Sequence, residues 1–558
     1  MKKILLTTVH RPLGVESETC TPNIQAEMYH VQVTRSQGPF SIRSVCTGWG
    51  LEFIAANLEA PVTVLHYPTK SILLRELRKG YDYVGVSFVM CTFPKTIELC
   101  EMVRRVAPQS KIVLGGYGTV LEECDQYADF VCREEGVNFF RRLLGEPEVG
   151  KFKTPRIMRK LKIMSVTTRP EAIIPAGLGC SRGCDFCCTS HFFDRKHVPL
   201  LKSGREIHEA MVAADFRGKS FRNIGIIDED FLSDRNRIEE MIHLNAKEIE
   251  KPIFFSCLTS LLSLSQYTDE ELLSMGLSGV WVGIESKRAK YKKLKNFDAA
   301  VMIDALKHLG IIPLTSMIIG YDWHDEETIE EDFQYLVSLK PAFSQIMIYS
   351  PCPQTPLYRK VQRLDRHVDI PYKYHDGFHT LFKHPNLSGE RLERILGELF
   401  EREYEELGPS VCRVLEVQML GYITLHNSAN PLFRARAREQ KKLCLEIYPL
   451  LKTAIKEAPS DKVRAYLVSL KEQVEDLFRI PKLTKTLEFF VPALAAYTRL
   501  KDKLIPNPQP PALINRYRFQ NGMQRPASGP QKNERDSEHE FEPSPENLTR
   551  RREQIDVY

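Results

Sequence analysis

The first 150 residues alternate short apolar runs with longer stretches of helical periodicity. The runs are rich in β-branched residues, which is typical of buried strands. They comprise Ile4–Thr7, Val62–Leu65, Tyr83–Ser87 and Lys111–Leu114. Because stretches of helical length such as residues 94–106 separate the runs, we predict a parallel, doubly wound α/β domain over residues 1–150.

A second α/β pattern covers residues 172–370. Six apolar runs alternate there with helical stretches, and several runs end in polar residues. The runs begin near Ala172, Asn223, Ile253, Val280, Ile312 and Gln345. We predict a partial (β/α)6 barrel, similar to part of a TIM barrel, with its candidate site at the carboxyl ends of the strands.

The remaining segments differ from these two domains in composition. Residues 151–171 are basic and polar, and we predict a linker there. Residues 371–504 carry helical apolar stripes, such as Leu392, Ile395 and Leu399, which predict a helical region. Residues 505–558 are polar and proline-rich without periodicity, which predicts a disordered tail.

Composition narrows the class of protein. The chain has 558 residues, of which 43% are hydrophobic and 27% charged, and these fractions are ordinary for a globular protein. A net charge of +5 is too small to indicate nucleic acid or a membrane surface. No apolar run is long enough for a membrane span, and the 14 cysteines form no evident disulfide framework. We therefore expect a protein of the reducing cytoplasm.

One glycine-rich loop holds the most informative cysteines. The sequence GLGCSRGCDFCC, residues 177–188, contains Cys180, Cys184 and Cys187 in a C-x3-C-x2-C spacing. Iron–sulfur clusters usually have four cysteine ligands, so three suggest a cluster with one iron open for chemistry. The alternatives are unrelated thiols or a structural zinc site. Zinc needs four ligands, and the neighbouring Cys187 and Cys188 do not easily point to one ion.

This spacing resembles the signature of the radical S-adenosylmethionine (SAM) superfamily. Phe186 supplies the aromatic residue that the signature has before its last cysteine. The resemblance implies a [4Fe-4S] cluster whose open iron binds SAM, and cleavage of SAM to a 5′-deoxyadenosyl radical. It also implies an external electron donor such as flavodoxin or ferredoxin.

Two predicted barrel strands end in residues that the resemblance places at the SAM site. The run NIGIIDEDF ends in acids that include Asp228 and Glu229. The run VWVGIES contributes Gly283, Glu285 and Ser286, and relatives use a similar Gly-x-Glu-Ser element to contact SAM. The alternative for each acid is a helix N-cap, a position where carboxylates are also favoured.

The first domain resembles the Rossmann-like cobalamin-binding domains that precede many radical SAM cores. Ser87 follows its third strand, and Gly115 and Gly116 follow its fourth, as in the cobalamin pocket of those domains. The chain lacks the Asp-x-His-x-x-Gly motif of domains that replace the lower cobalamin base. The resemblance therefore implies cobalamin without a protein histidine ligand. The alternative is a domain that only packs on the barrel.

These resemblances together predict a class B-like radical SAM enzyme that methylates an unactivated carbon with cobalamin. The alternative is a radical SAM enzyme that cyclises, rearranges or oxidises its substrate without methyl transfer, because such an enzyme shares every motif quoted above. A third alternative is a non-catalytic metal-binding module. We expect a small-molecule, lipid or peptide substrate rather than nucleic acid, because no RNA-binding fold or clustered basic patch is evident.

Overall fold

The computed structural model describes residues 2–14, 27–45, 47–214, 222–248, 252–294, 297–520 and 523–526. Within these residues its strands are β1 Ile4–Thr7, β2 Arg43–Ser44, β3 Val62–His66, β4 Tyr83–Ser87, β5 Lys111–Gly115, β6 Phe130–Val131, β7 Ile157–Ile163, β8 Val166–Pro175, β9 Gly177–Leu178, β10 Val198–Pro199, β11 Arg222–Ile227, β12 Ile253–Thr259, β13 Leu277–Glu285, β14 Ile312–Ile319, β15 Phe343–Ile348, β16 Leu513–Gln520 and β17 Met523–Pro526.

The helices of the same residues are α1 Met28–Gln32, α2 Trp49–Ala56, α3 Lys70–Leu77, α4 Phe93–Val106, α5 Gly136–Leu144, α6 Cys188–Phe192, α7 Gly204–Ala213, α8 Arg235–Asn245, α9 Leu261–Leu264, α10 Asp269–Ser274, α11 Ala299–His308, α12 Glu326–Leu339, α13 Pro356–Arg363, α14 Gly389–Leu407, α15 Ser410–Leu425, α16 Pro431–Ile447, α17 Leu451–Lys456, α18 Asp461–Leu477, α19 Lys482–Leu487 and α20 Val491–Leu504. None of them combines the length and the apolar run that a membrane crossing requires.

The N-terminal sheet has a parallel core in the order β3-β1-β4-β5-β6. Strand β1 buries side chains on both faces, because Leu5 belongs to one apolar cluster while Ile4 and Leu6 belong to another. Alternate side chains of a strand point to opposite faces, so apolar layers cover both sides of the sheet. This confirms the predicted doubly wound α/β fold.

The second sheet contains the six predicted barrel strands in the parallel order β8-β11-β12-β13-β14-β15. Helices α7, α8, α11 and α12 contribute to its outer layer and share one apolar core with the strands. The sheet is curled but open, which confirms the predicted partial barrel. Leu392, Ile395 and Leu399 of α14 pack on this core and join the helical C-terminal region to it.

The basic segment predicted as a linker differs in the structure. Residues 151–171 include β7 and the start of β8, which pair as an antiparallel hairpin at the edge of the half-barrel. Strand β2 adds to the same edge by pairing with β7. The buried Glu171 forms an ion pair with Arg159, so one basic residue of this segment is paired within the sheet edge.

The predicted tail also differs over its first part. Strand β16 pairs antiparallel with β3 and extends the N-terminal sheet. The Tyr517 hydroxyl donates a hydrogen bond to the buried carboxylate of Glu52, which also bonds His66. Prediction of disorder from residue 505 is therefore wrong for this strand, because its polar groups have buried partners in the first domain. Residues 527–558 lie outside the described residues.

Candidate active site

The cysteine loop begins where β8 and β9 end, at the carboxyl end of the half-barrel. Gly179 and Gly183 both have left-handed backbone conformations, with φ of 70° and 68°. A side chain at Gly179 would overlap the carbonyl oxygen of Lys196, so the loop can close only with glycine there. The Ser190 hydroxyl donates to the Cys180 carbonyl oxygen at 2.6 Å and accepts from the Gly183 amide at 3.2 Å.

The three cysteines of the loop are partly buried and influence one another. The pKa of Cys180 is raised to about 12 and that of Cys184 to about 11, chiefly by burial, and the charge of Cys187 contributes to both increases. Metal binding needs deprotonated thiolates, so a bound metal would have to stabilise the three thiolates that this loop disfavours on its own. Among the described residues, no group of three His, Cys, Asp or Glu side chains converges on a single-ion site. In an iron–sulfur cluster each cysteine binds a separate iron, and the assignment of these three cysteines as cluster ligands stays a prediction.

Asp185 fixes this loop to the barrel. Its two carboxylate oxygens accept hydrogen bonds from Tyr291 at 2.8 Å and from Tyr349 at 2.6 Å. The Phe186 ring contacts the same two tyrosines edge-on, with ring centroids 5.6 and 5.9 Å apart. The predicted aromatic residue therefore packs between the loop and the strand ends, and here its contacts position the loop.

Asp228, at the carboxyl end of β11, lies in a buried ion network. Its Oδ2 is 3.0 Å from His197 Nε2 and 3.1 Å from Arg237 Nη2. Burial alone would raise the pKa of Asp228, but the hydrogen bond from His197 and the charge of Arg237 hold that pKa below its usual value. The Asp228 carboxylate is therefore already bonded to other side chains of the protein.

Asp230 has a similar position in a second network. It accepts from Arg182 of the cysteine loop at 2.6 Å, and from Thr259 and the Ser260 amide at the end of β12. The aspartate therefore links the loop to two barrel strands. In the sequence it is one of three consecutive acids of NIGIIDEDF, and nothing there reveals this role, because its partners are distant in sequence.

Glu229 points away from these two networks. Its Oε1 accepts a hydrogen bond at 3.2 Å from Tyr117 of the first domain, which follows Gly116 in the chain. Burial, and next the negative charge of Asp228, raise the pKa of Glu229 to about 7. This acid therefore lies where the two α/β domains meet.

The predicted Gly-x-Glu-Ser element forms the end of β13. Glu285 is buried, has a left-handed backbone conformation with φ of 58°, and forms an ion pair with Lys293. A side chain at Gly283 would collide with the Glu285 carboxylate, so glycine lets this side chain fold back over the strand. The Ser286 hydroxyl oxygen accepts from the Arg288 amide at 3.2 Å and stabilises the following turn.

Lys293 is a site residue that sequence analysis missed. Burial alone would lower its pKa, but the Glu285 carboxylate and the nearby Cys184 raise it above its usual value. The ammonium also lies 6.0 Å from the centre of the Phe186 ring. It is one of several lysines in the segment KRAKYKKLK, and nothing in that pattern distinguishes it.

The predicted cobalamin-pocket residues come together at the carboxyl edge of the N-terminal sheet. Ser87 and Gly115 are paired neighbours on β4 and β5. Gly116 has φ of 89°, and a side chain there would lie 2.7 Å from the Phe88 carbonyl oxygen and 3.2 Å from Ser87 Oγ. These three small residues leave an edge that a large ligand can approach closely.

Side chains at the carboxyl ends of the two sheets contact each other. Beyond its bond to Glu229, the Tyr117 ring contacts Phe192 and Phe193 edge-on, with centroids 5.3 and 6.3 Å apart. Both phenylalanines directly follow the cysteine loop. A side chain on the first domain therefore bridges to the segment that follows the cysteine loop and to a barrel strand end.

This arrangement defines a class: a half-barrel with a three-cysteine loop at its carboxyl end and a doubly wound domain facing it. Two solved structures of the radical S-adenosylmethionine methyltransferase TsrM from Kitasatospora setae have this fold, each with a TM-score of 0.51. They are 14% and 13% identical to the chain and cover 79% of it and 99% of their own chains. One contains tryptophan and a SAM analogue, and the other contains cobalamin and a [4Fe-4S] cluster.

A curated relative agrees with this class. Over 377 residues the chain is 22% identical to bacteriochlorophyllide d C-12(1)-methyltransferase from Chlorobaculum tepidum, covering 62% of the chain and 80% of the relative. No protein-family model matches the chain. The solved structures share the fold that the predicted resemblance implies, and the curated relative is named as a methyltransferase.

Proposed function

We propose that this protein is a cobalamin-dependent radical SAM methyltransferase that methylates an unactivated carbon of a small molecule. The supporting observation is that the carboxyl ends of the two sheets lie next to each other, where Tyr117 and Glu229 connect the edge of the doubly wound domain to the barrel end. A reaction that uses two large cofactors on one substrate needs both sites to open into the same space. The similar fold of TsrM and its bound cofactors support the same function.

In this proposal Cys180, Cys184 and Cys187 hold a [4Fe-4S] cluster and leave one iron for SAM. When bound, the cluster would supply the electron, SAM would supply the radical, and cobalamin would supply the methyl group. The chain's own residues hold the three groups in register and exclude water. Asp185 and Asp230 contribute by fixing both ends of the cysteine loop to barrel strands.

Glu285 and Lys293 are the proposed partners of the amino-acid part of SAM. The pair presents a carboxylate and an ammonium next to the cysteine loop, which is complementary to the ammonium and carboxylate of that ligand. Gly283 and Ser286 shape this strand end, and Phe186 packs beside the loop. Asp228 acts as a positioning residue through Arg237 and His197.

Ser87, Gly115 and Gly116 are the proposed cobalamin contacts, and we propose that no protein histidine ligates the cobalt. The two histidines of the first loop have protein partners: His10 lies 3.3 Å from Glu98, and His30 lies 2.7 Å from Ser41. Burial lowers the pKa of both imidazoles. An external electron donor such as flavodoxin or ferredoxin in the cytoplasm would complete the system.

Anaerobic reconstitution with iron, sulfide and hydroxocobalamin tests this function. We expect about four irons and four sulfides per chain, stoichiometric cobalamin, and both S-adenosylhomocysteine and 5′-deoxyadenosine from SAM under reduction. Mass spectrometry quantifies the two products. Formation of 5′-deoxyadenosine alone, without cobalamin uptake, would contradict methyl transfer, and tightly bound zinc without sulfide would contradict a radical enzyme.

A further inference from the structure

Exposed apolar side chains are concentrated in one segment near the end of the helical region. Of the fifteen large hydrophobic residues that are exposed within the described part of the chain, eight lie between residues 483 and 505. We call them the apolar patch: Leu483, Leu487, Phe489, Phe490, Tyr497, Leu500, Leu504 and Ile505. Three of the eight are at least 70% exposed, which is unusual for leucine and phenylalanine on a globular surface.

Helical spacing shows that the patch is one side of an amphipathic element. On α20, Val491, Ala495 and Thr498 are buried against the protein. Tyr497, Leu500 and Leu504 follow the spacing i, i+3, i+7 and are exposed on the other side. A face with this regular spacing that no described residue covers is a docking surface rather than scattered exposure.

Positive charge surrounds the patch. Residues 479–505 contain six lysines and arginines but only two acids. One acid, Asp502, lies 3.3 Å from Arg43 and is thereby neutralised. From a neighbouring helix, the Lys452 ammonium lies 5.1 Å from the centre of the Phe489 ring. Arg499 is likewise paired, with Glu457 at 2.6 Å, so the lysines supply the cationic rim of the apolar side chains.

We propose that the apolar patch docks the protein on an anionic phospholipid surface. Aromatic and leucine side chains inserted among lysines are the recognised features of a helix that lies in a membrane interface. Each lysine near an anionic leaflet adds to the electrostatic attraction. A second copy is the poorer occupant, because a two-fold contact through this patch would bring like charges together. The chain's own residues 534–546 are acidic but carry one large apolar residue, Phe541, which cannot cover eight.

Sedimentation of the full chain with vesicles tests this proposal. The probes are vesicles of phosphatidylcholine alone, and of phosphatidylcholine with about a third phosphatidylglycerol. We expect at least about tenfold tighter binding to the anionic vesicles, and a loss of that advantage at about 1 M salt. The variant Phe489→Ser/Phe490→Ser should lose binding to both kinds of vesicle. Substitution of Lys482, Lys485 and Lys503 by Glu should remove only the preference for anionic lipid.

The matched control is Val301→Ser/Leu364→Ser, which changes two exposed hydrophobic residues far from the patch in sequence and should bind like the parent chain. Equal binding to both vesicles, no binding, or a dimer that the Phe489/Phe490 variant dissociates would overturn the proposal. Binding that appears only after removal of residues 527–558 would also overturn it, since the chain's own terminus would then cover the patch. Vesicle binding needs no cofactor, so these outcomes are independent of the methyltransferase assay.

Discussion

The carboxyl ends of the two sheets lie next to each other and differ in chemistry. At the half-barrel end, Asp228, Asp230 and Glu285 each have a cationic partner within the protein. At the edge of the doubly wound sheet, Ser87 and Gly116 offer small side chains and close backbone approach instead. In the proposed function, the first edge is a preorganised polar site, and the second is a surface for a large ligand held by many weak contacts.

This difference implies different sensitivity to substitution. In the ion networks, removal of one group leaves its buried partner without compensation. At the glycine edge, damage comes from added atoms rather than from lost ones. The predictions below use this contrast, and they begin with the largest expected effect.

Replacement of a cluster cysteine should abolish function. In Cys184→Ala we expect loss of the iron–sulfur absorbance and of all SAM-derived products, because two thiolates cannot hold the cluster. Iron and sulfide analysis after anaerobic reconstitution measures this. The control Cys188→Ala removes the adjacent thiol and should retain the cluster. A fully assembled cluster in Cys184→Ala would refute the ligand assignment.

Breaking the Asp228 network should cost folding stability. The Asp228→Ala change leaves the buried Arg237 guanidinium without its carboxylate, and we expect a loss of about 3–5 kcal/mol. Urea denaturation followed by circular dichroism measures the shift in midpoint. Asp125→Ala removes a partner from the exposed pair with Arg133 and should cost less than about 1 kcal/mol. Similar losses in both variants would contradict the contrast between buried and exposed pairs.

An added methyl group at the glycine edge should impair cobalamin binding. Gly116→Ala forces a positive φ on alanine and places its Cβ against the Phe88 carbonyl, so the turn has to shift. We expect a loss of about 2–3 kcal/mol in the free energy of cobalamin binding. Spectroscopic titration with hydroxocobalamin measures the affinity. Gly80→Ala shares the positive φ but has open space around its Cβ, so it should keep parental cobalamin affinity. Parental affinity in Gly116→Ala would remove this edge from the proposed site.

The fold was largely predictable where strands are buried on both faces. The six barrel strands appear in the sequence as apolar runs with polar ends, and β11 and β13 place Asp228 and Glu285 as expected at the carboxyl end. Edge strands were not predictable in the same way. Strand β7 has a basic sequence because the residues that it exposes to solvent, Lys160 and Lys162, are lysines. Strand β16 pairs with β3, whose sequence position is more than 400 residues away.

The site was predictable only as far as motifs extend. The cysteines and Gly116 follow from local spacing and backbone requirements. Lys293 and Asp185 do not, because their roles depend on partners brought together by folding: Glu285 for the lysine, and two tyrosines for the aspartate. Side chains that link separate elements have no local signal when several identical residues surround them, as in the lysine-rich segment of Lys293.

Glu229 should make folding stability depend on pH, because among the described residues it has no ion pair like those of Asp228. Its pKa is near 4.5 in the unfolded chain and is raised to about 7 in the folded protein, chiefly by burial. The folded state therefore holds this proton more tightly, and the resulting stability is complete below pH 4.5 and is lost as the pH rises through 7. Glu229→Gln keeps the shape but not the charge, so it should be more stable than the parent above pH 7, where the parent holds a buried carboxylate.

Urea midpoints of the parent and of Glu229→Gln, measured from pH 4 to pH 9, test this linkage. The difference in free energy of unfolding should grow in favour of glutamine between pH 4.5 and 7 and then stay constant. The variant Tyr117→Phe serves as a control, because it removes the hydrogen bond but keeps the carboxyl group, and should shift the window upward in pH. A difference independent of pH would mean that Glu229 is as well compensated as Asp228, and the contrast between the two neighbouring acids would fail.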